Sequence, residues 1–533
     1  MFGLPGGGSN LDVIKAAQDL GCRFILAHGE TAAVIMAGVT AELTGKPSVC
    51  VVTRGPGAAS AVNGVAQARL DRQGVLLITD CVSAEDQPRI SHQYVDQIQL
   101  FGSVSKGSIV LGGSESSALA TAALRATVEG MPGPVHVDFD ETALGWNGIR
   151  NAFSRSPRRG ENGVSDPLER TKLALATARR PVIAAGVGVI AGPGRQAHVA
   201  ALRNLVAATT VPVLTTYKAR GVISDESPAA AGVLTGGATE APILKQADLI
   251  IGIGLDPVEL LPSSWECEAP VYLLGPWPTH DVDYFGEHLV AEAVVDLVTA
   301  LTELKAHIRS TWAPEAANEY RRAALDSLAT ATSSADRGVT PQQVVTMANE
   351  LAPAGAIATV DSGAHMLVAV PLWTVAEPGE LIISSGLATM GFALPAAVAA
   401  ALSCPDRRVV CFTGDGGLGM VLAELETLAR LSLPIVVIVF NDGTLSLIAI
   451  KQRDTAPTAR ETVCYAASDF AAVGSALGIR SARVADPETY SRELEKAFLH
   501  AGPTIIDVAI DAASYPAILA ASRGTTAQSE GLS

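Results

Sequence analysis

The chain has 533 residues, 48% hydrophobic and only 17% charged, with 38 Lys and Arg against 54 Asp and Glu for a formal net charge of −16. At roughly 100–200 residues per domain this length argues for about three domains. The acidic balance, with no basic run, excludes a surface built to hold nucleic-acid phosphates, and abundant apolar residues exclude a disordered chain.

A charged fraction below the usual ~25% fits extensive surface buried between subunits, with many small residues contributing. The longest apolar stretches, Ile435–Phe440 and Gly391–Leu402, fall short of the ~18–20 residues of a membrane span. The start, MFGLPGGGSN, has neither the charged nor the apolar region of a signal peptide. Cys22, Cys50, Cys81, Cys267, Cys404, Cys411 and Cys464 are scattered without a CxxC pair, which reads as reduced thiols. A cytoplasmic protein is expected.

Short β-branched runs alternate with Ala/Leu-rich stretches, the pattern of an α/β chain with three doubly wound parallel sheets. In chain order, strands are predicted at Ser48–Thr53, Val75–Thr79, Val135–Phe139, Pro181–Ala185, Leu249–Ile253, Val271–Leu274, Ala356–Val360, Val409–Thr413, Ile435–Phe440 and Ile505–Ala509. Each is apolar throughout, as strands covered on both faces must be. Polar stretches at Ser154–Pro167 and about Glu303–Ala335 divide the chain into units of 1–150, 165–305 and 336–520, and Ala521–Ser533 reads as a tail.

Ligands of open parallel sheets bind outside the carboxyl ends of the strands, which directs attention to the loops after Val409–Thr413 and Ile435–Phe440. The first contains Gly414, Asp415, Gly416 and Gly417 ahead of an amphipathic helix. Glycines let backbone amides close around a phosphate, and one carboxylate suits Mg²⁺, which completes its shell with phosphate oxygens and water. The second loop supplies Asn441, Asp442, Gly443 and Thr444, with Asp442 27 residues beyond Asp415, about one strand–helix–strand crossover.

The stretch GDGGLGMVLAELETLARLSLPIVVIVFND resembles the diphosphate-binding motif of thiamine-diphosphate enzymes. MFGLPGGGSNLDV, HGETAAVIMAG, KPSVCVVTRGPGAASAVNGVAQARLD and SSGLATMGFALPAAVAA resemble acetolactate synthase-like proteins in order and spacing, so that the likeness spans essentially the whole chain. The resemblance implies pyrimidine-binding, central and diphosphate-binding domains, thiamine diphosphate with Mg²⁺, and a homodimer or homotetramer with active sites between subunits. It begins without the helix that leads into the first strand in relatives, through either a misassigned start or an absent element.

By the same resemblance Asp415, Asp442 and the Thr444 carbonyl are the metal ligands. Relatives often have Asn where Asp442 stands, and the extra charge either tightens Mg²⁺ or weakens the diphosphate. Gly363, Ala364 and His365 resemble the loop closing over the diphosphate, and Leu445, Ser446 and Leu447 the segment after the metal loop. Glu30 matches the carboxyl that hydrogen-bonds N1′ of the aminopyrimidine, so that N4′ takes the C2 proton. Met390 matches the apolar wedge that holds the two cofactor rings bent against each other. Read without the family, Glu30 is an acid in a first helical turn and Met390 is core filler.

Gln93, thirteen residues before Lys106, matches a pair lining the active-site region of acetolactate synthases, or is a surface polar residue. Arg54 replaces a small Ser and either grips a carboxylate in bidentate fashion or points to solvent. The middle unit has a glycine cluster, Gly186–Gly192, but Gly254–Pro262 stands where FAD-carrying relatives have an Arg-Phe-Asp-Asp-like segment, so FAD is doubtful. The expected substrates are a pyruvate-like 2-oxo acid and a carbonyl acceptor, with a simple 2-oxo-acid decarboxylase, a 2-hydroxyacyl lyase and a catalytically silent binding protein as alternatives.

Overall fold

The computed structural model describes residues 1–112, 116–140, 166–332, 338–451 and 460–524. Most of the polar stretch Ser154–Pro167, the end of the Glu303–Ala335 connector and most of the tail lie outside the described residues. Three six-stranded sheets, parallel throughout, carry the chain.

The first holds β1 (Phe2–Leu4), β2 (Ile25–Leu26), β3 (Ser48–Val52), β4 (Val75–Asp80), β5 (Ser108–Leu111) and β6 (Val135–Phe139) in the order β2-β1-β3-β4-β6-β5. The second holds β7 (Pro181–Ala185), β8 (Val213–Thr215), β9 (Ala230–Val233), β10 (Leu249–Ile253), β11 (Val271–Gly275) and β12 (Leu289–Val294) in the order β12-β11-β10-β7-β8-β9. The third holds β13 (Ile357–Val360), β14 (Leu381–Ile383), β15 (Val409–Gly414), β16 (Ile435–Asn441), β17 (Arg480–Val484) and β18 (Thr504–Ala509) in the order β14-β13-β15-β16-β18-β17.

Every strand singled out from the sequence is present within one residue of its expected ends. Those not singled out, such as β2 and β8, are short or lie near a sheet edge, where an apolar run is brief. The first and third sheets repeat one topology. The second has the dinucleotide-type order, with β7 and β10 adjacent at its centre.

Two helices join the first and third units. Glu30–Thr44 is buried along Ala32–Val39 and packs on Ala393–Ser403, itself buried from Ala393 to Ala401. A helix apolar on every side needs cover on every side, and here the two sheets and the partner helix supply it within one continuous core. Part of the low charged fraction is thus spent inside the chain rather than on an outer interface. Among the described residues no helix is long and apolar enough to cross a membrane.

Candidate functional site

Strands β13 and β15 are neighbours whose following connections leave in opposite directions, which opens a crevice at their carboxyl ends. A cavity of about 310 Å³ lies there. Its lining includes every residue expected to hold the diphosphate and metal: Gly363, Ala364, His365, Met390, Gly414, Asp415, Gly416, Gly417, Asp442, Thr444, Leu445, Ser446 and Leu447.

Strand β15 runs fully buried up to Thr413 and delivers Asp415 to the start of a short helix. The Asp415 carboxylate accepts hydrogen bonds from the amides of Gly416 (2.7 Å), Gly443 (2.7 Å) and Asp442 (3.2 Å). It thereby ties the loop after β15 to the loop after β16. A fourth donor, the Tyr465 hydroxyl at 2.8 Å, had no signal in the sequence, because Tyr465 lies 50 residues beyond Asp415 and is held at the site beside the pairing of Thr444 with Cys464. Asp442 accepts from the Thr444 amide and the Ser446 hydroxyl. Burial, reinforced by the nearby Asp415 charge, raises the Asp442 carboxyl to about 6.

A cation between the carboxylates would relieve that repulsion. The donor set, two carboxylates and a carbonyl, suits a hard ion that keeps phosphate and water oxygens. Opposite them His365 is buried and stacked on Phe440, with ring centroids 5.1 Å apart. Among the described residues its Nε2 has no partner, and burial lowers its pKa to about 4. An orphaned buried nitrogen in a crevice is a group awaiting a ligand. These residues fit a metal-bound diphosphate.

Asp361, at the end of β13, is a positioning residue the sequence reading passed over. Fully buried, it accepts from the amides of Gly391 and Phe392 and from the Thr413 hydroxyl, so it fixes Met390 relative to β15. Burial raises its carboxyl to about 6. A Cβ on Gly417 would lie 2.5 Å from the Asp361 carboxylate, which explains the glycine there.

The residues expected from the first unit form a second group, outside this cavity. Glu30 opens its helix, and its Oε1 is the atom a Cβ on Gly57 would meet at 3.3 Å. Gln93 lies with its carbonyl against Gly55, where a Cβ would approach to 2.4 Å, and Arg54 directly precedes that glycine. Glu30, Arg54 and Gln93 therefore converge on one loop at the carboxyl end of β3. Buried Gln97 braces it, accepting from the Gly55 amide at 2.8 Å. Lys106 does not join them: its ammonium donates to the carbonyls of Ala126 and Glu129 at the end of a helix, and burial lowers it to about 8. Its spacing from Gln93 served a helix end, not the site.

The third unit also sets the entry to the Glu30 helix. Glu424, buried, accepts from the amides of His28 (2.8 Å) and Gly29 (3.0 Å), which otherwise lack intrahelical partners.

In the middle unit the glycine loop after β7 is filled from within. The buried Glu259 carboxylate accepts from the Val187 amide at 2.8 Å and from the Thr216 hydroxyl at 2.7 Å. A Cβ on Gly188 would meet the Gly254 Cα at 2.6 Å. The residues present do not fit a dinucleotide diphosphate at this loop.

Residues 1–100, 168–269 and 361–508 match the family models described as the N-terminal TPP binding, central, and C-terminal TPP binding domains of thiamine pyrophosphate enzymes. The chain is 28% identical to the acetolactate synthase of Bacillus subtilis (strain 168), over 96% of this chain and 90% of that protein. It is 29% identical to the acetolactate synthase isozyme 2 large subunit of Escherichia coli (strain K12), over 96% and 92%. A probable acetolactate synthase large subunit of Methanocaldococcus jannaschii is 28% identical over 96% and 89%. The crevice, its paired carboxylates and these matches together make the chain a member of the thiamine-pyrophosphate enzyme family, similar to acetolactate synthase large subunits.

Proposed function

We propose that this enzyme binds thiamine diphosphate with Mg²⁺ in the β13–β15 crevice, decarboxylates a 2-oxo acid and passes the acyl unit to a carbonyl acceptor, in the manner of an acetolactate synthase. The observation that carries this reading is the convergence of Asp415, Asp442, His365 and Met390 on one cavity. Bound there, the cofactor would supply the electron sink that decarboxylation and acyl transfer require.

The chain's own residues do the rest. Asp415, Asp442 and the Thr444 carbonyl would hold the metal, whose charge would offset that of the paired carboxylates. His365 Nε2 would hold the diphosphate, and beside that anion the ring would favour its protonated form. Met390, fixed through Asp361, sets the ring conformation. Glu30 holds a proton at the pyrimidine N1′. Because the Glu30–Arg54–Gln93 group and the cavity are separate halves within one chain, the working unit is a homodimer or homotetramer that brings one chain's Glu30 to another's cavity. The units run over 1–150, 165–305 and 336–520, the location is cytoplasmic, and the middle unit carries no FAD at its glycine loop, where Glu259 stands.

NMR of the products formed from pyruvate with thiamine diphosphate and Mg²⁺ tests this reading. Acetolactate or acetoin is expected; acetaldehyde alone would make the enzyme a simple decarboxylase. Glu30→Gln should still bind cofactor while exchange of the thiamine C2 proton slows by roughly 10²–10⁴-fold. Unchanged exchange would remove Glu30 from its role.

A further inference from the structure

Two cations in the cavity wall have no part in the proposal above. Lys451 ends the helix Ser446–Lys451, whose first residue bonds Asp442, and Arg523 ends the helix Tyr515–Arg523 packed against it. Over five residues a helix rises about 7.5 Å, so Lys451 stands well away from the carboxylate loops.

Neither side chain has a hydrogen bond or ion pair among the described residues, and both line one cavity from helices packed against each other, Lys451 exposed at its rim and Arg523 half-buried. Arg523 is not a frayed end. The Ala238 amide of the middle unit donates to the Ser522 carbonyl at 3.0 Å, and a Cβ on Gly237 would lie 2.7 Å from that oxygen. The middle unit thus grips the backbone that presents Arg523. Among the described residues the cavity's carboxylates, Asp415 and Asp442, lie in the metal loops and form no ion pair with either cation, and two like charges on one cavity wall attract an anion between them.

The cofactor diphosphate already has the metal and His365 as partners. Nor do the cations suit the carboxylate that leaves as CO₂: holding its charge in the ground state would raise the barrier to losing it. They suit an anionic group that stays charged through the reaction. We propose that Lys451 and Arg523 form a specificity clamp for a second acidic group on the substrate, making the preferred donor a 2-oxo acid with a distal carboxylate rather than an uncharged alkyl chain. This rests on the thiamine-diphosphate reading of the same cavity.

The test compares kcat/KM for 2-oxoglutarate and 2-oxobutyrate, by CO₂ release, in the full-length enzyme, Lys451→Met, Arg523→Met and the double variant. Calorimetric titration with thiamine diphosphate and Mg²⁺ runs alongside. The wild type should prefer the dianion by roughly 10–100-fold, the worth of a hydrogen bond between charged groups. Each variant should lose most of that preference, with 2-oxobutyrate turnover and cofactor affinity unchanged. A wild type that prefers 2-oxobutyrate, or turns over neither acid while binding cofactor, overturns the clamp and leaves the cofactor reading standing. Variants that lose cofactor affinity instead would assign the cations to the diphosphate and also overturn it. Failure of the wild type to bind thiamine diphosphate would remove the underlying reading itself.

Discussion

Two glycine loops, each leaving a buried central strand at a point where the sheet's connections reverse, have opposite fates in this chain. At Gly414–Gly417 the neighbouring loop after β13 stands back, and carboxylates and a histidine unpartnered among the described residues line the open space between. At Gly186–Gly188 the neighbouring loop after β10 closes in, backbone against backbone, and the Glu259 carboxylate takes the amide a phosphate would take. A glycine after a strand therefore records only that something must come close. Whether that is a ligand or the chain itself depends on the loop next to it.

The comparison can be broken at either loop. The largest effect should come from Asp415→Ala, which removes the carboxylate that knits the loops after β15 and β16 and would hold the metal. Affinity for thiamine diphosphate with Mg²⁺ should fall by about 100-fold, read by calorimetry. Normal affinity would mean that the open loop is not the cofactor's. The same titration with FAD should show no binding to the wild type, and a stoichiometric flavin would reverse the assignment of the filled loop.

Gly188→Ala should be next in size. Its Cβ would collide with the Gly254 backbone, which cannot swing aside, so a loss of about 1–3 kcal/mol in unfolding free energy is expected. Unaltered stability would show the middle loop to be less tightly closed than its contacts require.

The smallest and most diagnostic effect concerns pH. Burial raises the Glu259 carboxyl from its ordinary 4.5 to about 8, partly opposed by the hydrogen bonds from Thr216 and Val187. A carboxyl raised on folding favours the protonated state, so its stabilising contribution is complete below about 4.5 and declines as pH climbs to about 8. Glu259→Gln should flatten the thermal stability profile over that window. An unchanged slope would argue against a buried titrating carboxyl at this position.

Much of this was legible in the residues themselves. Runs such as Ile435–Phe440, apolar at every position, admit little but a central strand, and the 27-residue interval between Asp415 and Asp442 is set by the crossover linking adjacent strands. The roles of Asp361, Glu424 and Tyr465 were not legible. Each acts on a partner distant in sequence: Asp361 on Gly391, Glu424 on Gly29, Tyr465 on Asp415. A lone acid or tyrosine carries no local pattern that announces such a partner. Lys106 erred the other way, since its spacing matched a site residue while a helix end claimed its ammonium.

The sequence by itself determined the parallel α/β architecture and which loops carry the chemistry, because strand burial and glycine-carboxylate loops are local properties of short segments. Only the tertiary structure decided that the glycine cluster of the middle unit is closed by Glu259. It likewise decided that Glu30, Arg54 and Gln93 gather on one loop apart from the metal ligands, and that Lys451 and Arg523 share a cavity wall. These outcomes depend on which loops face one another once the sheets are stacked, a matter of packing between segments far apart in the chain.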